Sequence, residues 1–132
     1  MKKRLMYIIL PIITLILEIL PYGAVCNFAR PATDGSIGHF RELYSYFDLM
    51  PFGYANFAPF LTAILTCVIV LMLVIYCITG KSKMLLHTKR VLYICACFSF
   101  GPMVLGIKFL SVVGTIITLS LIAELFLIDK TT

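Results

Sequence analysis

Four long apolar runs, separated by polar segments, are the main pattern of the sequence. A helix needs roughly 20 apolar residues to cross about 30 Å of hydrocarbon, and most of the runs approach that length. The pattern predicts an all-α membrane protein: a small bundle of four transmembrane helices with a long first outer loop. One integral membrane domain covers the whole chain, with spans at about residues 5–25, 57–79, 91–107 and 109–128.

The first run has two interpretations, a cleaved signal peptide or a permanent span. The basic residues before it fit both, because each kind of segment commonly starts with positive charge. Its length exceeds the roughly 7–15 apolar residues of a signal peptide, and it contains Glu18. Val25 also stands where a small residue precedes the cysteine of a lipoprotein cleavage site. The sequence therefore predicts an uncleaved first span.

Residues 40–47, in the first loop, combine aromatic and charged positions. Phe40, Leu43, Tyr44 and Phe47 follow the i, i+3, i+4, i+7 spacing of one helix face. This spacing predicts a short helix lying in the membrane interface. Its rings, with Tyr54 further on, either anchor the next span at the headgroup level or form a docking or ligand surface. Tyr44, Phe47 and Tyr54 are the candidate interaction residues.

Two features of the later runs concern helix packing. Gly101 and Pro102 interrupt the third run, at a depth that the predicted span places close to the membrane midplane. Such a break is either a packing kink or, as in some transporters, a binding site. Pro102 is therefore a candidate site residue. In the fourth run, Gly114 and neighbouring small residues predict the close approach of another backbone.

Composition excludes several classes of function. Hydrophobic residues make up 61% of the chain and charged residues 13%, against roughly 45–50% and 25% in soluble domains. Four of the five cysteines lie inside apolar runs, so neither a disulfide framework nor a zinc site is expected. No catalytic motif or cofactor fingerprint is present, and no cofactor is expected. The net charge of +5 is explained by membrane topology, so nucleic acid is not an expected partner.

The basic residues predict the orientation of the spans. Eight Lys or Arg lie in the N-terminal segment, the 80–90 segment and the C-terminal tail, and three lie in the other connections. Short basic segments stay on the cytoplasmic side. The asymmetry predicts a multi-pass protein of the cell membrane with both termini in the cytoplasm.

Ionisable residues inside the apolar runs are costly and mark functional or structural sites. Glu18 and Lys108 both fall in the outer part of the predicted bundle, and we expect them to form an ion pair. Without a partner, burial would favour the protonated form of Glu18, which is the state a proton-coupled carrier uses. Glu124 lies one turn from the inner end of its span and is expected to reach water or the basic loop.

Two functions remain open. The absence of catalytic groups and the aromatic stretch favour a non-enzymatic accessory or interaction protein, with the lipid bilayer and a membrane-protein partner or a second copy as its contacts. In outline, however, the chain is similar to the small multidrug transporters, which also have four spans and a carboxylate in the first, here Glu18. That resemblance implies a small oligomeric proton-coupled transporter using Glu18. The long first loop and the charge asymmetry differ from that family. An enzyme is the least favoured class.

Overall fold

Three of the helices are long and apolar enough to cross a membrane. The computed structural model describes residues 2–48 and 57–130, with side chains from residue 5 onwards. The helices are α1 (Lys2–Ile19), α2 (Ala58–Thr79), α3 (Ser82–Ser99), α4 (Gly101–Leu105) and α5 (Val112–Asp129). Strands β1 (Ala24–Pro31) and β2 (Ile37–Tyr44) follow α1, and a 3-10 turn at Ile107–Phe109 precedes α5. The spanning candidates are α2, α5 and the combined segment Ser82–Leu105.

The four long helices pack as a ring. Helix α1 contacts α2 and α5, and α3 contacts the same two helices from the other side. Buried apolar side chains from these helices and from the hairpin base form the core: Ala24, Tyr46, Ala63, Ile69, Leu73, Leu85, Leu92, Cys95, Ile117, Leu121 and Ile128. Most remaining large apolar side chains of the helices are exposed, as expected for surfaces solvated by lipid.

The first helix is shorter than predicted. Its apolar part, Leu5–Ile19, ends six residues before the expected boundary at residue 25. The chain then turns at residues 20–23 and continues as β1. The apolar run does not stop there, but its last residues, Ala24, Val25 and Cys26, are buried in a strand. Hydrophobicity alone does not separate a buried strand from the end of a helix.

An antiparallel hairpin replaces the interfacial helix predicted at residues 40–47. Strand β2 pairs with β1 in a register that sets Ala24 opposite Tyr44 and Phe28 opposite Phe40. The connecting turn contains Gly35 with φ of 80°, a conformation that glycine adopts without a Cβ clash. The helix prediction was wrong because the cross-strand partner lies outside the window in which a helical period is counted. Main-chain hydrogen bonds close this turn, from the Gly35 N–H to the Ala32 carbonyl and from the Ala32 N–H to the Ser36 carbonyl.

The connection between α2 and α3 is much tighter than predicted. Gly80 ends α2 in the left-handed conformation, with its N–H donating to the carbonyl of Tyr76 at 2.8 Å. Helix α3 begins two residues later, so the expected basic loop at residues 80–90 is mostly the first turns of a helix. The predicted break is confirmed, since α3 ends at Ser99 and α4 begins at Gly101. The candidate interaction residue Tyr54 lies outside the described residues.

Candidate functional site

Glu18 is completely buried in the interior of the helix ring, with 0% exposure. Its Oε1 accepts a hydrogen bond from the Thr66 hydroxyl on α2 at 2.8 Å. That hydroxyl also lies 3.0 Å from the Thr62 carbonyl one turn earlier. The second carboxyl oxygen, Oε2, has no hydrogen-bond partner among the described residues. Glu18 is therefore half-satisfied, which is costly for a buried polar group.

Glu124 on α5 has the same kind of environment. It is 2% exposed, and its Oε1 accepts from the Thr14 hydroxyl of α1 at 2.8 Å. Thr14 also lies 2.6 Å from the Ser120 hydroxyl, and it precedes Glu18 by one helical turn. Within the described part of the chain, Glu124 Oε2 is also without a partner. The two buried carboxyl groups thus meet hydroxyls of the same helix ring.

Glu124 does not reach water, so the expectation of an inner-end anchor was wrong. Helix α5 continues to Asp129, and it is Asp129 that forms an ion pair with Lys89 of α3. Glu124 lies five residues earlier, where α1 covers it. Five residues correspond to about 7.5 Å of helix, enough to separate a buried position from an exposed one.

The expected ion pair between Glu18 and Lys108 was also wrong. Lys108 lies in the 3-10 turn before α5 and is exposed, and its main-chain carbonyl accepts from the Asn27 side chain at 3.3 Å. Glu18 instead turns inward to Thr66. The expectation failed because α1 ends at Ile19, where the chain turns into the hairpin, and does not continue to the 3-10 turn that holds Lys108.

Hydroxyl and thiol groups surround the two carboxyl groups. Cys95 of α3 lies 3.7 Å from the Thr66 hydroxyl and donates to the Thr62 carbonyl at 3.6 Å. The titratable groups that interact electrostatically with Glu18 are Glu124, Cys95, Cys67 and Tyr46. None of these is basic, and no basic group acts on Glu124 among the side chains that the structure describes.

The aromatic residues lie on the paired strands of the hairpin and not on one face of a helix as predicted. The rings of Phe28 and Phe40 stack across the strands with centroids 5.4 Å apart, and Tyr44 meets Phe28 edge-on at 6.5 Å. The Tyr44 hydroxyl donates to Glu42 at 2.6 Å, and this hydrogen bond raises the pKa of Tyr44 to about 12. We call Phe28, Phe40 and Tyr44 the aromatic face of the hairpin. Phe47 lies beyond the strand and is partly exposed.

Polar contacts fix the hairpin to the helices at both its base and its side. At the base, the Ser45 hydroxyl and the Tyr46 N–H both donate to the Glu18 carbonyl, at 2.9 and 3.0 Å. Along the side, Arg41 donates to the Leu110 carbonyl at 2.5 Å. The Asn27 contact with Lys108 lies on the same side, because Asn27 and Arg41 are cross-strand partners.

Tyr46 is a buried residue that sequence reasoning missed. It is 1% exposed, and a Cβ added at Gly23 would lie 2.8 Å from its ring. Gly114 faces the same place, where an added Cβ would come within 2.9 Å of the Gly23 carbonyl oxygen. The predicted close approach at Gly114 is therefore confirmed, with Gly23 as the partner. The helical pattern assigned to residues 40–47 left Tyr46 on neither face, so it carried no signal.

Pro102 lines a cavity of about 10 Å³ together with Ser99, Ser111 and Tyr46. A cavity of this size is near the lower limit for one water molecule and excludes a substrate. Pro102 lies in the first turn of α4, directly after the end of α3, so the predicted interruption separates two helices.

Two further findings bear on the class of protein. Among the described residues, no group of three or more His, Cys, Asp or Glu is placed to hold a metal ion. No protein family, curated protein or solved structure matches the chain.

Proposed function

We propose that this chain is an integral protein of the cell membrane that crosses the bilayer four times and acts as a non-enzymatic interaction protein. Its binding element is the β1–β2 hairpin, which presents the aromatic face to a partner protein or to a second copy. The observation that carries the proposal is the combination of a firmly attached hairpin with an exposed ring, Phe40, on the same face as the half-buried Phe28 and Tyr44. Polar contacts hold its base and one side, while Phe40 on the aromatic face is 41% exposed.

The position of α1 supports four crossings. It packs against α2 and α5, which are both long and apolar enough to span, so it lies beside two spanning candidates. The charges fit the same arrangement. The hairpin and the turn at Ile107–Phe109 lie together at one end, and the Lys89–Asp129 pair lies at the other, where the basic residues of α3 begin.

A topology experiment tests this orientation. A reporter fused after Thr132 is expected to be active only in the cytoplasm, because the basic segments hold the termini on that side. Paired fusions of alkaline phosphatase and a fluorescent protein would measure it in whole cells. Alkaline phosphatase activity at the C-terminus would contradict the assignment of the inner and outer ends.

The hairpin itself offers a matched pair of positions for testing partner binding. Neighbouring strand residues point to opposite faces, so Phe40 lies on the aromatic face and His39 on the other. Both are exposed. A photoreactive phenylalanine analogue at position 40 is expected to give a discrete protein cross-link in intact membranes. The same analogue at position 39 is expected to give much less, since that side of the hairpin faces the α4–α5 connection.

The products of this cross-linking separate the alternatives. A product of twice the chain mass identifies self-association, and a larger or smaller discrete product identifies a different partner. Cross-links from position 40 to lipid alone would contradict the proposal and assign the rings to membrane anchoring. Equal protein yields from positions 39 and 40 would contradict the role of the aromatic face.

A small oligomeric proton-coupled transporter is the second candidate, and Glu18 favours it. Glu18 is a fully buried carboxyl group with one oxygen that has no partner among the described residues, which is unusual in a merely structural helix because intramembrane ionisable residues are expensive. This candidate requires Glu18 to exchange protons with water. The interaction role of the hairpin has no such requirement.

A further inference from the structure

The two buried carboxyl groups lie on neighbouring helices and belong to one polar cluster. Thr14 connects them, since it donates to Glu124 across the α1–α5 interface and lies one turn from Glu18 on its own helix. The carboxyl groups are close enough that each would repel the other if both were ionised. The cluster is placed where four helices meet, away from the lipid-facing surfaces.

The hydrogen bonds of the cluster satisfy only half of the carboxyl oxygens. Each carboxyl group receives one hydroxyl donor, from Thr66 or from Thr14, and each retains one buried oxygen to which no described residue donates. No ammonium or guanidinium group approaches either carboxyl among the side chains described. An unpaired carboxylate in hydrocarbon costs a few kcal/mol or more, so the two negative charges require a positive counterpart.

The surroundings restrict what that counterpart is. A multivalent metal ion would need more ligands than the described residues bring together. A proton needs no coordination shell, and it converts an unpartnered carboxylate oxygen into a neutral hydroxyl.

We propose that Glu18 and Glu124 together form a proton-binding site whose protons exchange with water. The site goes beyond the interaction role of the hairpin and does not depend on it. It supplies what the transporter candidate requires, without implying a transported substrate. The buried titratable groups that face it are Tyr46 and Cys95 of α3, and neither carries a compensating positive charge. Cys67 of α2 also interacts electrostatically with Glu18, but its side chain is exposed.

Infrared spectroscopy of the full chain in lipid tests the site directly, because a protonated carboxyl group has a carbonyl stretching band distinct from that of a carboxylate. At pH 7 the wild-type protein is expected to show this band. Glu18→Gln and Glu124→Gln are each expected to remove part of it, and the double variant to remove the rest. Glu42→Gln is the matched control, because Glu42 is an exposed carboxyl group of the hairpin and should leave the band unchanged.

Transfer to heavy water provides the second measurement. The band is expected to shift as the bound protons are replaced by deuterons, and to disappear as the pH is raised and the protons are released. A band that neither shifts nor titrates would overturn the proposal, because the protons would then be fixed structural elements. A band that persists in the double variant would also overturn it.

The wild-type spectrum is sufficient to test the proposal even where a glutamine variant does not fold. Absence of the band at pH 7 would overturn the proposal without any variant. If the band is absent and the protein unfolds at a higher temperature in sodium chloride than in choline chloride, the cluster binds a monovalent cation instead. Cross-linking from position 40 is independent of all these results, so failure of the proton site and failure of the hairpin proposal are distinguishable.

Discussion

Replacing Tyr46 with alanine is expected to lower the free energy of unfolding by about 3–5 kcal/mol, the usual loss when a large aromatic core residue is truncated. The ring is 1% exposed and fills the space above Gly23, next to α5. Its removal leaves a cavity that the neighbouring Gly23 and Gly114 cannot fill, because they have no side chains. The main-chain bond from Tyr46 to Glu18 persists in the variant, so the loss reports on the ring. Reversible unfolding in detergent micelles measures it.

Phe47 is the control for this variant. It is the adjacent aromatic residue, but its side chain is 37% exposed. Phe47→Ala is therefore expected to cost less than about 1 kcal/mol, within the range of ordinary surface substitutions. Equal losses for the two variants would contradict the placement of Tyr46 in the core and of Phe47 outside it.

Substituting Gly114 with alanine is expected to destabilise the protein by about 1–3 kcal/mol, the range for overpacking a tight contact. The new methyl group would lie 2.9 Å from the Gly23 carbonyl oxygen and 3.2 Å from the Tyr46 hydroxyl. Gly23 has little freedom to move away. Its carbonyl accepts from Ser111 at 2.5 Å, and its N–H donates to Tyr44 at 3.1 Å. The same unfolding measurement applies.

A second glycine separates this effect from a general response to alanine. At Gly38, in β2, an added Cβ would meet the Arg30 carbonyl oxygen at 3.6 Å, an ordinary contact. Gly38→Ala is therefore expected to be neutral or slightly stabilising, since alanine restricts the unfolded chain. Comparable destabilisation at positions 38 and 114 would contradict the prediction. It would show that the loss at position 114 does not come from the close approach of α5 to Gly23.

Apolar run length predicted the long helices because it measures a property of each segment alone. The spans expected at 57–79 and 109–128 agree closely with α2 and α5. The hairpin required information that run length lacks. Phe40 and Tyr44 are spaced four apart, which suits a helix, but they are also an even number apart, which suits a strand. Pairing with Phe28 and Ala24 decides between the two, and those partners are more than ten residues away.

The buried carboxyl groups show a similar limit. The sequence identified Glu18 as a costly residue, but its partner Thr66 is 48 positions away, and the pairing depends on how α1 and α2 rotate against each other. Glu124 was assigned to the inner surface because depth was counted from the end of a run. Whether a residue near a helix end meets water depends on what packs over it, and α1 packs over Glu124.

The early end of α1 has a consequence for the bilayer beside it. Fifteen apolar residues, Leu5–Ile19, span about 22 Å as a helix, short of the roughly 30 Å of hydrocarbon. Irregular chain is tolerated at that depth only where protein satisfies its backbone, and here Ser45, Tyr46, Ser111 and Tyr44 provide partners for Glu18 and Gly23. If α1 crosses the bilayer as we propose, the lipid beyond its end meets packed turn and strand, so the bilayer next to α1 either thins locally or packs against the hairpin base.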